Sequence, residues 1–193
     1  MSIRNLFILA LFSLALRAQD ITVQVRTRAF IQILFPAEAA ATKIFAKIGV
    51  GVVWPHESDR RPVDARQQVE VEIHSSAREN IRPQALAYAV PSDRKVHIFY
   101  DRVMASAEAD LRTVLLAHVL VHEITHVIEG VNWHADDGLM KAHWSHADIV
   151  GMVFRPLAFD PLDVALIHRR LAADQDIARQ SASGVGEALS GTR

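Results

Sequence analysis

The stretch HEITHVIEGVNWH, His122 to His134, carries the reading that decides this chain. Histidines four apart on a helix share a face, so His122 and His126 can reach one cation together. Glu123 follows the first of them and is placed to meet a water on that cation rather than the cation itself. This is the arrangement of a zinc hydrolase. Two ligands grip the ion, the ion lowers the pKa of a water towards about 7, and a carboxylate takes the proton.

The five-residue pattern by itself is a weak signal, and its surroundings strengthen it. Leu111, Val114, Leu115, Val121, Ile124 and Ile128 recur at helical spacing around the motif. Gly130 can adopt the left-handed conformation that stops a helix. His134 then follows in a loop able to fold back. A catalytic zinc keeps three protein ligands and one open position, and His122, His126 and His134 meet that requirement. Glu129, one turn beyond His126, and His143 are the rivals for the third place. His118, four before His122, reads as a packed histidine. Asp136 and Asp137 could accept a ring N–H from a ligand histidine or simply form a turn. Met140 reads as a floor residue, Trp144 as an apolar plug, and Tyr100 and His146 as candidates to stabilise an oxyanion.

Cysteine is absent, so any metal must be held by His, Asp or Glu. Six of the ten histidines fall between His118 and His146, which concentrates the available nitrogen donors around this stretch.

Upstream, ITVQVRT (Ile21 to Thr27) alternates apolar and polar residues as a half-buried strand does. A helix is expected from Pro36 to Gly49, and strands at Val50 to Trp54, Val69 to Ile73, Ala85 to Val90 and Lys95 to Tyr100. PHESDRRPVDARQ, from Pro55, reads as a polar loop and PSDR, from Pro91, as a turn. One long helix is expected to begin between Asp101 and Ser106 and to end at Gly130. A short helix near Ser145 to Val153 follows, then one from Pro161 to about Ala173 capped by Asp160. The order β-α-β-β-β-β-α with a small helical end predicts an α+β fold: a twisted mixed sheet, a helix and a long zinc-binding helix.

With His122, Glu123, His126, Gly130, His134 and then Met140 in DGLM, the chain resembles the metzincin metallopeptidases. Their zinc helix turns at a glycine, supplies a third histidine and is followed by a methionine turn beneath the metal. The element order also looks like the metzincin N-terminal subdomain, and the chain further resembles small secreted bacterial proteins of this type. The resemblance implies a metzincin-like fold, Zn2+ held by His122, His126 and His134, Glu123 as general base, and peptide-bond hydrolysis. The usual gaps from second histidine to glycine and from glycine to third histidine are three and three; here they are four and four.

The N-terminus reads as a secretory signal peptide over residues 1–18. Arg4 supplies the positive start, Leu6 to Leu16 is apolar apart from Ser13, and Ala18 offers a small residue for cleavage. That run is far shorter than the roughly 20 residues of a membrane span. A secreted or periplasmic protein follows, with a single domain over 19–177, a disordered tail over 178–193 and no stable membrane anchor after signal removal. The net charge of −1 and the lack of a basic block argue against nucleic acid as a partner. A peptide or protein substrate is expected instead. The contrasting reading is a non-catalytic secreted binding module containing zinc. Glu123 separates the two, because a structural site needs no acid beside its ligand and closes with four protein ligands.

Overall fold

The structure, a computed structural model, describes residues 19–27, 31–55, 67–77 and 81–190. The expected signal peptide and most of the polar loop after Pro55 lie outside those residues. Among the described residues no helix is long and apolar enough to cross a membrane.

Five strands form one mixed sheet: β1 (Gln19–Thr27), β2 (Val50–Val53), β3 (Gln68–His74), β4 (Ala87–Val90) and β5 (Lys95–Phe99), in the order β2-β1-β3-β5-β4. The pairs within β2-β1-β3-β5 are parallel, and β4 joins the end antiparallel to β5. A 3-10 turn at Pro91–Asp93 reverses the chain between β4 and β5, with Arg94 at φ 53°. Val69, Val71 and Ile73 of β3 are buried while Gln68, Glu70, Glu72 and His74 between them are only half-buried. Alternation of period two therefore gives the sheet one core face and one open face.

Helices α1 (Leu34–Ala46), α2 (Tyr100–Ala105), α3 (Arg112–Glu129), α4 (His146–Phe154) and α5 (Pro161–Ser190) accompany the sheet among the described residues. The result is a mixed α/β architecture in the expected order, with one added helix. α1 begins two residues before Pro36, which thus takes the third helical position. The first four N–H groups of a helix have no partner within it, so a missing one costs nothing there. Gly49, at φ 75°, turns the chain from α1 into β2.

Two helix boundaries differ from expectation. The long helix does not start between Asp101 and Ser106: α2 occupies that stretch and α3 begins only at Arg112. Between them Leu111 N–H bonds to Glu108 O at 3.0 Å. Val103 before the break and Leu111 after it are both buried, so packing on both sides of a bend overrides local helix propensity. The last helix runs to Ser190, past its expected end near Ala173 and through most of the stretch expected to be a disordered tail. Once a helix is nucleated, each further residue fixed adds a hydrogen bond, whereas the first bond fixes three residues. Leu162 N–H bonds to Asp160 Oδ1 at 2.8 Å, the cap expected for its start.

Every residue of α3 from Leu115 to Glu129 is buried, polar ones included. A helix buried all round sits at the centre of its fold. α1, α4, α5 and the β4–β5 end of the sheet all pack against it. Ile167 and Leu171, four apart on α5, enter the same core as Leu116, Leu120 and Ile124. The polar groups that α3 carries inside must therefore find partners or an ion.

Candidate metal centre

His122 and His126 stand one turn apart near the end of α3, and both rings are aimed by backbone. Nδ1–H of His122 donates to the Leu139 carbonyl at 2.9 Å, and Nδ1–H of His126 donates to the Val131 carbonyl at 3.0 Å. A carbonyl oxygen can only accept, so each Nδ1 carries the proton and each neutral ring keeps its lone pair on Nε2. The two acceptors come from the chain just beyond the helix. Gly130 ends α3 at φ 73°, with its N–H on the His126 carbonyl, and brings Val131 back beneath His126.

Leu139 is set by Gly138. That glycine holds φ 77°, and a side chain there would come within 2.7 Å of the Ala158 carbonyl oxygen. Leu139 N–H bonds to the same oxygen at 2.9 Å while its own carbonyl receives His122. The loop bearing His134 is closed by Ala135 N–H on the Met140 carbonyl at 2.9 Å. Met140 and Leu139 are themselves fully buried.

The three Nε2 atoms converge. His126 Nε2 lies 3.1 Å from His122 Nε2 and 3.3 Å from His134 Nε2, and the three donor atoms fall within 4.8 Å of one another. Nitrogens at about 2.0–2.1 Å on one tetrahedral zinc sit about 3.4 Å apart. Burial and the facing His126 push the His122 imidazole down to about 3, and burial together with His134 pushes His126 down to about 4. His134 is also lowered, by burial and by His143 nearby. All three are thus in the neutral form that ligates metal. Without a cation, the lone pairs of His122 and His126 would face each other at 3.1 Å with no proton between them. The donor set therefore fits zinc. Among the described residues no fourth His, Asp or Glu joins the group.

Glu123 is buried and shares with the three histidines the walls of a cleft of about 1020 Å³. Burial alone raises its carboxyl to about 8 in the metal-free protein. A neighbouring dication favours the carboxylate and opposes that shift. β4 contributes Ala87, Tyr88 and Ala89 to the cleft, and His143, Trp144 and His146 line it too.

The rivals stand outside this group of three. Glu129 is fully buried and lies within electrostatic reach of Asp163 at the start of α5, outside the histidine group. Burial and Asp163 raise it to about 7, and neither carboxylate oxygen has a partner among the described residues. His118 donates from Nδ1 to the Val114 carbonyl at 2.7 Å and accepts Leu157 N–H on Nε2 at 3.1 Å, so both its nitrogens are used. Asp136 and Asp137 are exposed turn residues, and the ring acceptors are instead the Leu139 and Val131 carbonyls. Backbone acceptors have no residue-type signature, and only the glycines before them, Gly130 and Gly138, hinted at their place. Trp144 stands edge-on to His122 at 5.4 Å and to His118 at 6.2 Å, as an apolar plug would. Tyr100 opens α2 and does not line the cleft, whereas His146 does.

No family model matches the chain, and no curated protein matches it. Its fold is similar to that in the crystal structure of archaemetzincin from Methanopyrus kandleri. The two are 15% identical with a TM-score of 0.58, over 82% of this chain and 99% of that one. At that identity the likeness is one of fold, and it joins a similar architecture to a histidine group of this chain's own that can hold a metal ion.

Proposed function

We propose that this protein is an exported, metzincin-like zinc peptidase. The observation that carries the reading is the convergence of three neutral imidazoles, two with their tautomer fixed by backbone carbonyls, beside a buried glutamate in an open cleft. A zinc ion there supplies Lewis acidity to a peptide carbonyl and to the water that attacks it. The chain's residues do the rest. His122, His126 and His134 would hold the ion through Nε2. Glu123 takes a proton from the attacking water onto its carboxylate and passes it to the departing amine. β4, the last strand in the sheet order, offers its free edge to an extended substrate strand. Export rests on the layout of Arg4, the Leu6 to Leu16 run and Ala18.

A group of three ligands beside an acid suits catalysis better than a non-catalytic zinc module, which would close the shell with a fourth ligand. The test combines metal analysis of the purified mature chain with a peptide-library assay. Zinc at one or more equivalents and cleavage abolished by a chelator support the reading. A chain that holds zinc and cleaves no member of the library sinks it. Mass spectrometry of exported material should find an N-terminus near Gln19, and intact Met1 on cytosolic protein would remove export.

A further inference from the structure

A second group of donors lies on the open face of the sheet, away from α3. Glu72 and His74 are two apart on β3 and so share a face. Strand register sets Glu72 beside His97 of β5. His74 Nε2 lies 3.0 Å from His97 Nδ1, and Glu72 Oε2 lies 3.4 Å from His97 Nδ1 and 3.7 Å from His74 Nε2. A hydrogen bond between the two rings accounts for the first distance only. The carboxylate oxygen stays beyond good hydrogen-bond length from both nitrogens while remaining close to each. Three donors around one ion at about 2.0–2.2 Å stand about 3 to 3.6 Å apart, close to the 3.0, 3.4 and 3.7 Å sides of this triangle.

The rings are ordered in advance. His97 stacks between Tyr88, at 4.7 Å, and His74, at 5.3 Å. The side chains remain open to solution: His97 is 17% exposed, Glu72 32% and His74 34%. Lys95 Nζ opposes a cation here. It sits 3.7 Å from the other oxygen of Glu72, and its charge is shared with Glu70 at 3.8 Å. The opposition is partial, so this group binds more weakly than the helix histidines.

We infer that Glu72, His74 and His97 form a second metal site, for a divalent transition ion such as zinc, copper or nickel. Two imidazoles and one carboxylate suit those ions better than calcium or magnesium, which prefer all-oxygen shells. Tyr88 borders both this cluster and the main cleft, so an ion here also stiffens β4.

The test is equilibrium dialysis of the full chain against zinc near neutral pH, with bound metal counted per chain. The double variant His74→Gln, His97→Gln should bind one ion fewer than wild type. The double variant His122→Ala, His126→Ala should keep the strand ion, so this count stands whether or not the helix histidines hold zinc. Glu72→Gln preserves shape and decides the matter should the histidine variants misfold. It should weaken the strand ion by more than about 100-fold, because even a partner that does not touch a metal is worth about 10 to 100-fold. A strand variant that takes up as many ions as wild type, or a Glu72→Gln chain with unchanged zinc uptake, overturns the site.

Discussion

His122 and His126 are aimed by the carbonyls of Leu139 and Val131, whereas His74 and His97 are aimed by each other's rings and by Tyr88. The first cluster uses the helical repeat of one buried element plus a loop that returns to it. The second uses the two-residue repeat of a strand and the register between neighbours. A carbonyl held by the main chain fixes both the tautomer and the ring direction before any ion arrives. Stacked rings fix the plane but leave the tautomer free. Ligands that are ordered in advance lose less freedom on binding, so the helix cluster should be the tighter and the more selective of the two.

The sharpest break of that contrast is at Glu123, which has no counterpart on the sheet. Glu123→Gln should retain zinc yet slow peptide cleavage by about 10² to 10⁴-fold, the range for losing a general base. Equal turnover by wild type and variant would take Glu123 out of the mechanism and leave two clusters that differ only in affinity. Next in size is the third ligand. His134→Ala should weaken zinc at the helix cluster by more than about 100-fold, and Glu129→Ala by far less, since an outer change costs about 10 to 100-fold at most. Competition with a chromogenic chelator measures both. The reverse ranking would replace the three-histidine site with one using Glu129.

Gly138→Ala tests backbone aiming itself. The added methyl would meet the Ala158 carbonyl at 2.7 Å in a left-handed conformation, displacing the Leu139 carbonyl from His122. Zinc affinity should fall by about 10 to 100-fold, while uptake by the strand cluster stays as it was. Wild-type affinity in this variant would show that the carbonyl does not aim the ring.

The smallest effect is on stability. Glu129 is held near 7 when folded, by burial and Asp163, against an ordinary value of 4.5. Between those values the unfolded chain has released the proton that the folded chain keeps. The contribution of this group to stability is therefore lost as pH rises through that window, by at most about 3.4 kcal/mol. The histidines and Glu123 titrate alike in both chains, so the denaturant midpoint of Glu129→Gln should gain on that of wild type as pH rises from 4.5 to 7. A difference between the two chains that stays constant with pH would show that Glu129 is not held up in the fold.

Much of this was legible beforehand. The alternation at Val69 to Ile73 marked β3, Gly130 marked the end of α3, and the spacing of His122, Glu123 and His126 marked a shared face. Less legible were the features that depend on distant parts of the chain. Nothing local to Ser106 or Asp110 announced the break before α3, because Val103 and Leu111 impose it by packing. Asp136 and Asp137 read equally as acceptors for the ligand rings or as turn residues; they are turn residues, and the acceptors are backbone carbonyls, which a sequence does not display.

What the sequence determined alone is local and periodic: which residues form strands, where glycines let the chain reverse, and which donors share a helix face. These follow from repeats of 3.6 and 2.0 residues and from the conformational freedom of glycine. Tertiary structure decided the rest. It brought His134 within 3.3 Å of His126, sent Glu129 towards Asp163, and set Glu72 beside His97 through strand register. Such distances depend on how elements pack, and packing is settled by the whole buried surface rather than by any one segment.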